Sequence, residues 1–328
     1  MKIRRKAVER AIPCLTSIDT ANAVANSLMS RYSEFNTELV DINRLRTGKT
    51  LRKFTKMHGC GNDYIYFDCM ENPVDSPEML AIRLADRHTG IGGDGVILIC
   101  PSKVADARMR MFNLDGSEGK MCGNGIRCVA KYLYDNNIVR KREFDIETLS
   151  GVRRVKIRTQ NGDATYITVD MGKAELAPEK IPVALEGGKV VGEKVNVGGG
   201  EQAITCVSIG NPHCVIFVRH LDNYDVAGVG AAIENDPLFP ERTNVEFVKV
   251  IDDHTLRMRV WERGSGETLA CGTGACAAAV AAVENGFCPK GEDIIVKVPG
   301  GDLKVKYTDK TVYLTGTAVK VFDGEVEI

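Results

Sequence analysis

The chain repeats itself once, and that repeat constrains its fold more than any single motif does. At an offset of 149 residues, Met121-Cys122-Gly123-Asn124-Gly125 falls on Ala270-Cys271-Gly272-Thr273-Gly274. Without a gap, the same offset places Met109-Arg110 on Met258-Arg259, Phe112 on Trp261 and Glu118 on Glu267. It also places Gly61-Asn62 on Gly210-Asn211 and Gly95-Val96 on Asn244-Val245. A segment that recurs in one register predicts two copies of one supersecondary unit. It predicts two reactive thiols in matching settings, facing one another across a single cleft.

A length of 328 residues agrees with two domains. With 44% hydrophobic and 27% charged residues, the chain has the composition of an ordinary globular protein with ample core. A net charge of −1 gives no electrostatic case for nucleic acid, and clusters such as Arg140-Lys141-Arg142 are too short to change that. No apolar stretch reaches the length of a membrane span. Eleven cysteines, odd in number, irregularly spaced and without a secretory signal, favour a reducing cytoplasm over a disulfide framework. None of them has the Cys-x2-Cys spacing of a zinc site, so no metal is expected.

Residues 1–52 differ from the rest. They open basic, carry a candidate amphipathic helix over 18–32, and lie outside the repeat. Their acidic residues argue against a transit presequence, and they are expected to be an appended segment. From Phe54 onward the pattern is short strands and Gly-rich turns. Strands are expected at 64–67, 95–100, 108–112, 155–158, 164–171, 215–218, 245–250, 256–261 and 294–298. Helices are expected after each cysteine turn, at 126–135 and 275–284, the second closed by Asn285-Gly286. The strand at 164–172 is the expected hinge, and the final strands are expected to return to the first half. The division is therefore 54–168 plus 316–328 for one domain and 169–315 for the other.

The chemistry sits at the two Cys-Gly-x-Gly turns. Each hands a loop over to a helix N-terminus, where unpaired N–H groups and the helix dipole favour negative charge. Such a position is expected to lower a thiol pKa into the range of roughly 3.5–7.5 and to offer an anion site for a carboxylate. Two thiols on opposite faces of a carbon acid are equipped to invert a stereocentre: one removes the α-proton while the other delivers a proton. The helix ends stabilise the enolate-like charge. No electron-sink cofactor is expected. Gly90-Ile91-Gly92-Gly93-Asp94-Gly95 lacks the context of a dinucleotide site, and no lysine has a pyridoxal-phosphate setting.

Most of the other cysteines are expected to be small buried hydrophobes. His213 either assists acid–base chemistry or caps the turn after Gly210-Asn211-Pro212. Glu262 and Arg263 are either a surface ion pair or substrate contacts. Asn62, Asn113, Asn211 and Asn244 are ordinary turn residues singly, but the duplication adds weight to Asn62 and Asn211.

Together these residues resemble the diaminopimelate epimerase family from about Phe54 to the C-terminus. The resemblance rests on Lys56-Met57-His58-Gly59-x-Gly61-Asn62-Asp63, Asp86-Arg87-His88-x-Gly90-x-Gly92 and Asn113-x-Asp115-Gly116-Ser117-Glu118. It continues with Met121 to Cys128, Gly210-Asn211-Pro212-His213-Cys214, Glu241 to Val245, Glu262-Arg263-Gly264 and Ala270 to Cys276. The resemblance implies an α/β (α+β) fold of two pseudo-symmetric domains, each a β-barrel-like sheet around a central helix, with the active site in the interdomain cleft. It implies cofactor-independent interconversion of LL- and meso-diaminopimelate toward lysine and peptidoglycan, in a cytoplasmic homodimer. Cys122 and Cys271 match the acid and base, and His213 and Glu262 the groups that assist them. Asn62, Asn113, Asn211, Asn244, Glu262 and Arg263 match substrate contacts, with the backbone of Gly123-Asn124 and Gly272-Thr273. Where some members place a substrate-contacting Gln, this chain has Gly95, which is therefore left out of the site.

Two alternatives stand beside this. One is another two-cysteine racemase of the same fold, acting on histidine, proline or hydroxyproline. Proline-type enzymes lack the polar groups that a distal amino-acid centre requires, and a proline ring would leave those groups unpaired. The other is a thiol redox or metal-binding module.

Overall fold

Strands buried continuously at 64–67, 95–99 and 244–248, strands of alternating burial at 164–170, 255–260 and 294–298, and two glycine-led helices build one sheet-dominated α/β body. The computed structural model describes residues 50–328, so the basic segment and the helix expected at 18–32 lie outside the described residues. The first half contains β1 (Leu51–Gly59), β2 (Asn62–Asp68), helix α1 (Pro77–Ala85), β3 (Gly95–Cys100), β4 (Ala107–Asn113) and β5 (Glu118–Gly119). Helix α2 (Gly123–Asp135), β6 (Glu143–Thr148), β7 (Gly151–Gln160) and β8 (Asp163–Asp170) follow. The second half contains β9 (Glu193–Val197), β10 (Gly200–Ser208), β11 (Pro212–Phe217), α3 (Val226–Glu234), β12 (Asn244–Asp252), β13 (Thr255–Glu262) and β14 (Gly266–Thr268). It goes on with α4 (Gly272–Glu284), β15 (Asp293–Val298) and β16 (Gly301–Tyr307), and β17 (Val312–Thr317) and β18 (Val319–Glu327) end the chain.

The sequence repeat is a repeat of hydrogen-bonded register. β2 runs parallel to β3 with Tyr64 beside Gly95, and β11 runs parallel to β12 with His213 beside Asn244. In the antiparallel β3–β4 pair Val96 faces Phe112; in β12–β13 Val245 faces Trp261. Phe112 in turn faces Glu118 across β4–β5, as Trp261 faces Glu267 across β13–β14. Positions equated by the 149-residue offset therefore occupy equivalent rungs, which makes the two halves pseudo-symmetric. After the helices the offset grows by one: Glu143 faces Lys156, and Asp293 faces Lys306.

Each half wraps its strands around one helix. α4 packs against β10 to β13 and β15 to β17, and its Ala275, Ala277, Ala278, Ala279, Ala281 and Ala282 are all fully buried. A helix enclosed on every side must be apolar all round, and alanine lets the strands approach closely. α2 packs against β1, β2, β7, β8 and β17, burying Ile126, Cys128, Val129, Ala130 and Leu133. Both helices end in a left-handed residue at equivalent positions, Asn137 with φ 58° and Gly286 with φ 76°, which terminates the helix and turns the chain.

The two halves are tied by the last strands. β17 pairs antiparallel with β16 on one side and with β8 on the other. β18 then runs antiparallel to β1, from Val319 opposite His58 to Glu327 opposite Leu51. Three sequence expectations shift. Both helices begin three residues earlier than expected, at Gly123 and Gly272, so the glycines lie in the first turn. His213 is not a turn residue; it lies inside β11 and is fully buried. α1 and α3 were not expected, being short nine-residue helices with weak periodicity.

Candidate active site

Both cysteines are helix N-caps. Cys122 and Cys271 have extended backbones, and each sulfur accepts a hydrogen bond from the N–H three residues on, Gly125 and Gly274, at 3.3 Å. The two helix starts meet. A Cβ on Gly272 would lie 3.4 Å from Gly123 Cα, so the two helix starts are in van der Waals contact at these glycines. Asn124 spans the two halves by donating to the carbonyl of Ala270 at 3.2 Å, one residue before Cys271.

Around Cys122, the thiol donates to Asn62 Oδ1 at 3.3 Å, and Asn124 Nδ2 donates to the same oxygen at 3.3 Å. Around Cys271, Thr273 Oγ1 lies 3.4 Å from the sulfur. Glu262, at the end of β13, is hydrogen-bonded by the Thr268 hydroxyl and acts electrostatically on both cysteines. Behind them His213 Nδ1 is 2.7 Å from Glu246, and Nε2 is 3.0 Å from Asn211 Oδ1. Both ring nitrogens are thus engaged, which fixes the orientation of the imidazole. Asn211 passes the network on by donating to Thr273 Oγ1 at 3.3 Å. Asn244 donates to the Pro212 carbonyl at 2.8 Å and accepts from the Arg263 backbone at 3.0 Å, while the Arg263 guanidinium donates to the Glu241 carbonyl at 2.8 Å. Arg263 is therefore no ion-pair partner of Glu262. Asn113 ends β4 as Glu262 ends β13, and its amide donates to Ser117 at 3.0 Å, apart from this network.

The thiol pKa values move opposite to the sequence expectation. Burial pushes Cys122 up, against the lowering effect of the Gly125 and Asn124 backbone N–H groups. Cys271 is pushed up further, by burial and then by the negative charges of Glu262 and Glu246. Burial also raises the Glu262 carboxyl, with Glu246 adding to the effect. Desolvation of a charge outweighs the few N–H donors of a helix end.

Several residues at the site were not singled out from sequence. Asp94 accepts from the Asn62 amide at 2.6 Å, and Glu246 holds His213. Arg127 is fully buried and donates to Gly123 O and Asn124 Oδ1 at 2.9 Å and to Thr317 O at 3.2 Å, locking the start of α2 against β17. Tyr64 occupies the rung that the offset equates with His213, a signal present in the sequence. Gly95 is closed to any side chain: a Cβ there would lie 2.0 Å from the Phe112 carbonyl oxygen and 2.9 Å from the Tyr64 ring. Among the described residues no group of three or more His, Cys, Asp or Glu side chains is arranged to hold a metal. Nor is any helix among them long and apolar enough to cross a membrane.

Residues 54–177 and 205–321 match the family described as diaminopimelate epimerase. A diaminopimelate epimerase of Acetivibrio thermocellus is 51% identical over 278 residues, covering 84% of this chain and 99% of the relative. One from Methanococcus maripaludis is 48% identical, covering 84% and 100%. Among solved structures, a hydroxyproline epimerase from Agrobacterium vitis with bound trans-4-hydroxy-L-proline superposes with a TM-score of 0.66 at 14% identity, covering 85% of this chain and 93% of that one. A Bacillus anthracis protein of the PhzF family superposes with a TM-score of 0.62 at 18% identity, covering 85% and 100%. These two likenesses establish a shared fold.

Proposed function

The chain belongs to the diaminopimelate epimerase family, and from that premise we propose that it is an isomerase interconverting LL- and meso-diaminopimelate in lysine biosynthesis, using Cys122 and Cys271 as acid and base. The observation that carries this is the pair of N-cap thiols on two helix starts in contact, Gly123 against Gly272. In this reading the substrate carboxylate lies between the N–H groups of Gly123-Asn124 and Gly272-Thr273. One cysteine, as thiolate, takes the α-proton. The C–H electron pair passes into the carboxylate as an enolate-like charge, which the helix-end donors stabilise. The opposite thiol protonates the other face, and the pair ends with its protonation reversed. Reverse turnover uses the same groups in exchanged roles.

Because burial holds both thiols up in the free enzyme, the thiolate is generated with substrate in place, where the α-ammonium supplies the compensating positive charge. Glu262 beside both sulfurs and His213 behind Thr273 assist the proton transfers. Asn62, Asn113, Asn211, Asn244 and Arg263 hold the polar groups of the substrate. The domain division at 54–168 plus 316–328 and 169–315 and a homodimeric assembly belong to the same reading. So does a reducing cytoplasmic setting.

The test is incubation in D2O with LL-diaminopimelate and, separately, L-proline and L-histidine, with thiols reduced and metal removed. Deuterium at Cα and conversion to the meso isomer are expected only with diaminopimelate. No conversion of it sinks the reading, and exchange into proline or histidine transfers the chain to a racemase of the same fold. Cys122→Ser and Cys271→Ser are each expected to reduce epimerisation by a factor on the order of a hundred or more. Normal turnover in either variant excludes the two-thiol mechanism.

A further inference from the structure

Resting on the reading of Cys122 as a proton-transfer group, we propose that Asp94, clamped by Arg87, is a positioning residue: it fixes the orientation of Asn62 and through it keeps the proton on Cys122. The argument starts from what a carboxylate can do. Asp94 only accepts hydrogen bonds, so the edge of Asn62 that meets Asp94 Oδ2 at 2.6 Å is its NH2 group. The carbonyl edge must then face the other way, and it lies 3.3 Å from Cys122 Sγ and 3.3 Å from Asn124 Nδ2. An acceptor oxygen against the sulfur favours S–H and disfavours S⁻. Were the amide free to flip, its NH2 would face the sulfur and favour the thiolate instead.

Asp94 is itself held in place. Its Oδ2 also accepts from the Asp63 backbone at 3.1 Å, and its Oδ1 accepts from Arg87 at 2.8 Å. Arg87 grips Asp63 as well, at 2.7 and 3.3 Å, and Asp63 meets Lys56 at 2.6 Å. Two carboxylates and two cations thus form a balanced frame behind one asparagine. The second half does not repeat it. Thr243 stands at the position equivalent to Asp94, and the equivalent amide, Asn211, lies between His213 and Thr273 with its NH2 directed to the Thr273 hydroxyl beside Cys271. Asn62 therefore meets its cysteine directly through its carbonyl edge, whereas Asn211 reaches Cys271 only through the Thr273 hydroxyl. Together with Tyr64 in place of His213 and Asn113 in place of Glu262, this frame makes the two thiols inequivalent.

The test compares the wild type with Asp94→Ala, Asp94→Asn, Arg87→Met, Asn62→Ala and the double variant Asp94→Ala/Asn62→Ala. One readout is the rate of iodoacetamide alkylation at Cys122 relative to Cys271, followed by mass spectrometry without substrate. The other is kcat and KM for diaminopimelate in both directions. Asp94→Ala is expected to raise the Cys122-to-Cys271 alkylation ratio by about tenfold and to lower kcat more than it raises KM. Asp94→Asn, whose amide oxygen still accepts from Asn62 and the Asp63 N–H, should fall between Ala and wild type. In the Asn62→Ala background the Asp94→Ala change should alter the ratio little, because the two residues act in series. An unchanged alkylation ratio in Asp94→Ala overturns the proposal, and so does an Asp94→Ala effect of equal size with and without Asn62. If Asp94→Ala does not fold, Asp94→Asn and exposed Arg87→Met decide, and an unchanged ratio in both is the overturning result. A wild type inactive on diaminopimelate, with the ratio still responding, defeats the functional reading while leaving the positioning role intact.

Discussion

Residue chemistry at this site is a contest between burial and hydrogen bonding. Each thiol has a helix-end N–H donor, yet burial prevails at both, and Glu262 adds negative charge that further opposes ionisation. The sign follows: a raised thiol pKa means little thiolate at neutral pH and more as pH rises. The kcat/KM of the free enzyme for diaminopimelate is therefore expected to climb from neutral pH into the alkaline range, falling only where the second thiol also ionises. A flat or falling profile just above neutral pH would contradict this. Arg127 is the opposite case, a buried cation made tolerable by carbonyls. Replacing it with Met leaves Gly123 O, Asn124 Oδ1 and Thr317 O without their donor. The expected cost is roughly 3 kcal/mol of stability, measurable by urea unfolding; a loss well under 1 kcal/mol would show that water replaces it freely.

At the scale of elements, the decisive contact is between the first turns of α2 and α4. A Cβ at Gly272 would meet Leu314 Cδ2 at 3.2 Å and both Asn124 Oδ1 and Gly123 Cα at 3.4 Å. A lone Cβ fits against Gly123 once Leu314 yields, but the two further methyl groups of valine add bulk at the same contact. Gly272→Val is expected to push the helix starts apart and lower kcat by on the order of a hundredfold, since displacement of reacting groups by about 1 Å has that effect. Far-ultraviolet circular dichroism should stay native. Wild-type kcat in this variant would mean that the helix contact does not set the separation of the thiols.

Over the whole molecule, the chain ends by closing what it began. β18 pairs with β1 along nearly its full length, Phe322 stacks edge-on against Phe54 at 5.9 Å, and Thr55 donates to Asp323 at 2.7 Å. Removing residues 319–328 exposes the edge of β1 and this aromatic contact. The truncated chain is expected to unfold at least about 5 °C lower or to aggregate. An unchanged melting temperature would show that the closing strand adds nothing to the first half.

The duplicated architecture was legible in the chain alone, because identical offsets in Gly61-Asn62, Gly95-Val96 and the two cysteine turns reflect identical rungs in two ladders. The two thiols, and the helix after each, were legible for the same reason. The helix starts were read late because glycine has poor helix propensity, and only the cysteine caps and the opposing helix extend the helices back through Gly123 and Gly272. Local sequence marks His213 as following a turn, while pairing with β10 and β12 places it inside a buried strand. Asp94 and Glu246 join the site from segments that no spacing relates to the cysteines, and Arg127, although in the helix that Cys122 caps, gains its role only from packing against β17. The direction of the thiol pKa shifts was beyond the sequence for a deeper reason. A helix N-terminus is a local property that a motif can announce, whereas desolvation is the sum of everything packed around the sulfur, and only the tertiary structure decides it.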